Sequence, residues 1–174
     1  MKYFIASLVA AVALSLSASA ADVSTKITDS HVCCGSCVKA VAKIIATVPG
    51  VTGAADQDSS TISLTGPDTA TVQKATDALV ASGFYGKSSN PDIKISADTG
   101  AKGEKVKSLK IEGVHICCGH CVKDINEALN AVPGVTGNDA AKGAKSFTVT
   151  GDFTDKDVMD ALQKAGLTGK VAKG

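Results

Sequence analysis

Part of this chain is written twice. His31-Val32-Cys33-Cys34-Gly35-Ser36-Cys37-Val38-Lys39 returns 84 positions later as His115-Ile116-Cys117-Cys118-Gly119-His120-Cys121-Val122-Lys123. Val48-Pro49-Gly50-Val51-Thr52-Gly53 returns at the same offset as Val132-Pro133-Gly134-Val135-Thr136-Gly137. From His31 to Gly53, 13 of 23 positions are identical between the copies. Two copies are too few for a solenoid, so the pattern predicts two small domains in tandem.

Each copy has the same succession of elements. A strand is expected near Lys26 to Val32, and again near Val106 to Ile116. The helix after it carries Val38, Val41, Ile44, Ile45 and Val48 on one face. In the second copy these are Val122, Ile125, Ala128, Leu129 and Val132. Pro49-Gly50 and Pro133-Gly134 stop these helices. Weak strands begin at Val51 and Val135, and Thr61–Thr65 and Ser146–Thr150 alternate as half-buried strands do.

A second helix starts near Asp68 or Thr69, its counterpart at Thr154 with Asp157 as capping partner. Gly83 and Gly166 end them. Edge strands follow at Phe84 to Ser88 and at Leu167 to Ala172. The order β-α-β-β-α-β predicts an α+β, ferredoxin-like fold, with two helices on a four-stranded antiparallel sheet in each domain. The domains run over residues 22–89 and 105–174. Residues 90–104 form a linker rich in Gly, Pro, Asp, Ser and Lys, in which Asp92–Ser96 has the makings of an extra strand.

The N-terminus reads as an export signal. Lys2 precedes an apolar run from Tyr3 to Leu16 interrupted only by serine, and Ala18-Ser19-Ala20 supplies the small-x-small cleavage pattern. Residues 1–21 are therefore expected to be removed, which places the mature chain in the periplasm or outside the cell. No later stretch is apolar for long enough to span a membrane. Loss of Lys2 leaves 17 lysines against 17 acids. With no net charge, no arginine and 3% aromatic residues, the chain lacks the basic face and stacking platforms of a nucleic-acid binder. Nor does any Ser/His/Asp pattern, HExxH or phosphate-binding glycine loop point to an enzyme.

Six cysteines and three histidines remain as the reactive groups. Cys34 with Cys37, and Cys118 with Cys121, are Cys-x-x-Cys pairs where a strand gives way to a helix. That spacing lets two sulfurs converge, and the helix N-terminus favours thiolate over thiol. Thiolates are soft donors that select ions such as Cu(I), Zn(II) or Hg(II). Cys33 and Cys117 precede the pairs and are candidate third ligands. His31 and His115 are candidate nitrogen ligands, each two positions before an extra cysteine and so on the same face of an expected strand. His31, Cys33, Cys34 and Cys37 would make a Cys₃His set suited to zinc. His120 faces Ser36 in the alignment and reads as an exposed loop residue.

A β-α-β-β-α-β unit with Cys-x-x-Cys between its first strand and first helix resembles the heavy-metal-associated domain. That domain occurs in copper chaperones, metal-pumping ATPases and the periplasmic mercury-binding protein. The resemblance covers nearly the whole mature chain, once per repeat. It implies metal binding by Cys34, Cys37, Cys118 and Cys121, and a metal-transporting ATPase or another metal-accepting protein as partner. The chain departs from the family where Val32 and Ile116, or Val114, stand in place of the usual methionine, and in its additional cysteines. The residues alone leave three uses of the thiols open: a metal-binding scavenger, buffer or chaperone; a thiol–disulfide oxidoreductase; and structural disulfides.

Overall fold

The computed structural model describes residues 21–172. The first unit consists of β1 (Val23–Thr28), α1 (Gly35–Ile45), β2 (Thr52–Asp56), β3 (Thr61–Gly66), α2 (Thr69–Ala81) and β4 (Lys87–Ser88). The second has β5 (Lys105–Glu112), α3 (Gly119–Asn130), β6 (Val135–Asn138), β7 (Ser146–Thr154), α4 (Asp155–Lys164) and β8 (Lys170–Val171). The two sheets are antiparallel and ordered β2-β3-β1-β4 and β6-β7-β5-β8. This is the expected α+β architecture, two ferredoxin-like units in tandem. The expected export signal over residues 1–21 lies, apart from Ala21, outside the described residues. Among the described residues no helix is long and apolar enough to cross a membrane.

Each sheet buries one face under its two helices, which is why its strands alternate. Ile62 and Leu64 of β3 point inward, as do Phe147 and Val149 of β7. They meet Cys37, Val41 and Ile45 of α1, or Cys121, Ile125 and Leu129 of α3. Asp68 caps α2, its carboxylate accepting the Thr71 N–H at 2.7 Å. The matching cap at Thr154 does not form. The adjacent, buried Asp155 turns its carboxylate to the linker instead, accepting the N–H groups of Lys102, Gly103 and Glu104. Three backbone donors converging on one charge fasten the linker's end to α4.

The linker is otherwise packed rather than paired. Asp92–Ser96 adds no strand. Ile93 instead enters the first core, and the Lys94 N–H donates to Gln73 Oε1 at 2.8 Å. Farther along, the Val171 N–H donates to the Thr99 carbonyl. Residues 90–104 thus lie against both units in turn.

The first strands are shorter than the hydrophobic pattern suggests. β1 stops at Thr28 because Asp29 turns left-handed (φ 56°), and β5 stops at Glu112 because Gly113 does the same (φ 77°). Asp and Gly are the residues that tolerate this conformation. His31 and Cys33 therefore do not share a strand face, and neither do His115 and Cys117. Each lies in an irregular loop, with Val32 or Ile116 turned into its own core.

Those loops are where the units dock. Gly83 and Gly166 end α2 and α4 with φ of 92° and 75°. The residues after them, Phe84 and Leu167, form an antiparallel bridge from one unit to the other. The Tyr85 N–H donates to Gly166 O at 2.9 Å, and the Thr168 N–H to Gly83 O at 3.0 Å. The His31 N–H also donates to Gly166 O, at 3.2 Å. The edge strands begin only at Lys87 and Lys170 because the residues before them serve this junction.

Docking has no room for a side chain at these glycines. A Cβ on Gly166 would lie 2.5 Å from Asp29 O and 2.5 Å from His31 N. A Cβ on Gly83 would lie 2.5 Å from His115 N. Gly143 shares the left-handed backbone (φ 79°) but has nothing within 4 Å. Gly143→Ala should cost only the conformational penalty, about 1–2 kcal/mol. Gly166→Ala should cost clearly more and lower the thermal midpoint beyond the control by about 2–4 °C for each further kcal/mol. Equal losses in calorimetry would contradict the docked arrangement.

Candidate metal centre

Cys34 is the N-cap of α1 and Cys118 the N-cap of α3, both with extended backbones. Cys37 and Cys121 then fall at the third helical position. Side chains at those two positions naturally meet, which is the geometry of a capping box. Here thiols meet instead, at 3.7 Å for Cys34–Cys37 and 3.5 Å for Cys118–Cys121. Cys33 and Cys117 stand just outside the helices, 3.7 Å from Cys37 and from Cys121 respectively.

Docking places the two loops face to face. Cys117 reaches the first pair, 3.6 Å from Cys34 and 3.5 Å from Cys37. Cys33 reaches the second, 3.6 Å from Cys118 and 3.8 Å from Cys121. The extra cysteine of each repeat thus completes a triangle with the other repeat's Cys-x-x-Cys pair. All six sulfurs belong to one cluster of free thiols. Cys37 and Cys121 are its buried members, and the other four are half-buried.

The histidines are placed differently from one another. His31 is buried, and its Nδ1 lies 3.4 Å from Asp124 Oδ2 on the second repeat's α3. Ala40 stands where a matching acid would sit on α1. A ring nitrogen of His31 lies within 4.8 Å of the Cys33 sulfur of its own repeat and the Cys121 sulfur of the other. The single-repeat Cys₃His set is not assembled. His115 packs its ring 4.7 Å from that of Phe84. The Nε2 atoms of both histidines are buried without a hydrogen-bond partner. His120 is exposed, as expected.

Crowding splits the thiols electrostatically. Burial would raise Cys34, but the backbone N–H of Cys37, the Cys117 thiol and the backbone N–H of Ser36 together lower it to about 6. Burial, reinforced by neighbouring thiols, drives Cys33 far up. Burial likewise pushes Cys117 up to about 12. Cys121 is raised first by its bond with Cys37 and then by burial. Desolvation lowers His115, helped by the nearby His31, which keeps it neutral. The cluster is thus a mixture of thiolate and thiol. A soft cation would displace protons from it and neutralise the charge.

Sequence reasoning identified every cysteine in the cluster but not the crossing between repeats. It also missed Asp124. The one available signal for that residue was an acid on a helix face whose counterpart is Ala40.

Residues 108–168 match the heavy-metal-associated domain family. Solved structures similar to the chain include the N-terminal domain of PacS from Synechocystis PCC6803. It is 23% identical, covers 39% of this chain and 100% of its own, and has a TM-score of 0.36. The apo heavy-metal-associated domain of the copper chaperone for superoxide dismutase is 20% identical, over 46% of this chain and 80% of that one, with a TM-score of 0.35. The N-terminal soluble domains of Bacillus subtilis CopA are 20% identical, covering 88% and 95%, with a TM-score of 0.32.

In the reduced, metal-free protein, Cys34 should alkylate faster than Cys33 and Cys117 at pH 7. Its rate should fall as pH drops through about 6, when the thiolate takes up a proton. Peptide mass spectrometry after brief iodoacetamide pulses reads this directly. Uniform labelling, with no change between pH 5 and 8, would contradict it.

Proposed function

We propose that the protein is an exported binding protein for soft heavy-metal ions, acting as a scavenger, buffer or metallochaperone. The convergence of six free thiols between the two repeats carries this reading. The heavy-metal-associated domain at residues 108–168 supports it. The first repeat has the same strand order and the same cysteine pattern, and on this reading is a second domain of that kind. Cys34, Cys37, Cys118 and Cys121 are the principal ligands, with Cys33 and Cys117 joining them. His31 and His115 border the site. The cargo is Cu(I), Zn(II) or Hg(II), the ions that thiolates prefer over hard cations.

Export follows from the composition of residues 1–21, and the working compartment is then periplasmic or extracellular. The recipient is a metal-transporting ATPase or another metal-accepting protein. Delivery proceeds by stepwise exchange of thiolates. Cys34, half-buried and ionised near neutral pH, makes the first contact with an incoming ion. Buried Cys37 follows and removes the ion from solvent.

A second reading has one observation in its favour. An acidic Cys34 beside a buried Cys37 also suits a thiol–disulfide oxidoreductase. The two readings separate in one comparison. The reduced protein should retain soft metal through anaerobic gel filtration against a moderate chelator, and should reduce insulin no faster than free dithiothreitol. Cys37→Ser plus Cys121→Ser should weaken retention by more than the roughly 10–100-fold typical of outer-sphere changes, because a direct donor is lost from each pair. Insulin reduction by the wild type without metal retention would overturn the metal-binding reading.

A further inference from the structure

The six sulfurs form a regular figure. The Cys34–Cys37–Cys117 triangle has edges of 3.7, 3.6 and 3.5 Å. The Cys33–Cys118–Cys121 triangle has edges of 3.6, 3.8 and 3.5 Å. Edges of 3.7 Å join the triangles at Cys33–Cys37 and Cys117–Cys121. Cys33–Cys34, Cys34–Cys118 and Cys117–Cys118 lie within 4.8 Å, and Cys37 is the neighbour that most raises the Cys121 thiol. Cys33 with Cys117, Cys34 with Cys121, and Cys37 with Cys118 are the pairs not among these neighbours. Six corners with three opposed pairs define an octahedron.

An octahedron of donors has triangular faces and no set of four mutually adjacent corners. It therefore offers three-coordinate sites and does not present the tetrahedron that zinc prefers. At the centre of a face with these edges an ion would sit about 2.1 Å from each sulfur, against a metal–thiolate bond of about 2.3 Å. A slight outward position corrects the difference. Ions on faces that share an edge would lie under about 2 Å apart and repel strongly. Ions on alternate faces share only corners, so four is the capacity. Each thiolate then bridges two ions. Four monovalent ions on six thiolates leave a net charge of about −2 and four divalent ions about +2, so charge alone does not choose; but a zinc ion on any three-sulfur face would be one donor short of its tetrahedron.

We propose that the two repeats together hold a single cluster of four monovalent soft cations of the Cu(I) class, bridged by all six cysteines. This rests on the soft-metal reading above and deepens it. The repeats are then two halves of one container, not two carriers in series. On binding, the thiols still protonated give up their protons to solvent, each forms bonds to two ions, and no electron is transferred. Cys33 and Cys117 acquire a defined role as opposite corners. Every face contains one of them and never both, so removing both damages every three-coordinate site while leaving both Cys-x-x-Cys pairs intact.

The test is an anaerobic Cu(I) titration of the full reduced chain, read by native mass spectrometry and by X-ray absorption at the copper edge. The wild type should pass directly from empty to a four-copper species, with three sulfurs and a short copper–copper path around each ion. Cys33→Ser plus Cys117→Ser should fall to two ions or fewer, without the copper–copper path. Circular dichroism of that variant checks that it folds, and Cys33→Ser alone should already lower the capacity. A wild type that stops at two independent ions and is unaffected by the double substitution would overturn the shared cluster and leave the soft-metal reading standing. A wild type that retains no Cu(I) would overturn both.

Discussion

The molecule depends on a contact between two stretches of bare backbone. At Gly83 and Gly166 a helix ends left-handed and presses its main chain against the cysteine loop of the opposite repeat. The exchanged hydrogen bonds and the Phe84–Leu167 bridge fix the approach. Main-chain contacts of this kind tolerate little slippage, because each donor has one acceptor within reach. The precision passes to the loops, and through them to sulfurs 3.5–3.8 Å apart. Without this junction the chain would be two modest units, each with half a cluster.

Gathering six ionisable thiols has an electrostatic consequence. They resist ionising together, and the structure answers by dividing them: Cys34 leans toward thiolate, while Cys33 and Cys117 are held as thiols. The metal-free state is thereby kept tolerable, and a soft cation is rewarded for replacing protons. His31 is part of the same accommodation. Its neighbour Asp124 belongs to the other repeat, with Oδ2 3.4 Å from Nδ1, so this polar contact joins the repeats at the edge of the sulfur cage.

Much of this was legible from the chain alone. Repetition announced two units, and alternation at Thr61–Thr65 and Ser146–Thr150 placed the central strands correctly. Three-residue cysteine spacing at a helix start put paired thiols where they are found. The misreadings have local causes. Hydrophobic Val32 and Ile116 extended the apparent first strands past the left-handed turns at Asp29 and Gly113, since a core residue in a loop looks like one in a strand. Thr154 carried a capping pattern, but its hydroxyl makes no cap bond, and the side-chain bonds at this helix start run from Asp155 to the linker. The pairing between repeats left no periodic trace, because it depends on a main-chain junction and on which way two loops face.

The central claim is that thiols from different repeats share one site. It is tested most directly by cross-linking a variant that keeps only Cys34 and Cys117, 3.6 Å apart, with serine at the other four positions. A short bifunctional thiol reagent should bridge these two rapidly within a single chain, as seen by intact mass and peptide mapping. Cys34 paired with a cysteine introduced by Asn130→Cys, at the far end of α3, should not be bridged. Equal bridging in the two variants, or bridging only between chains, would contradict the shared site.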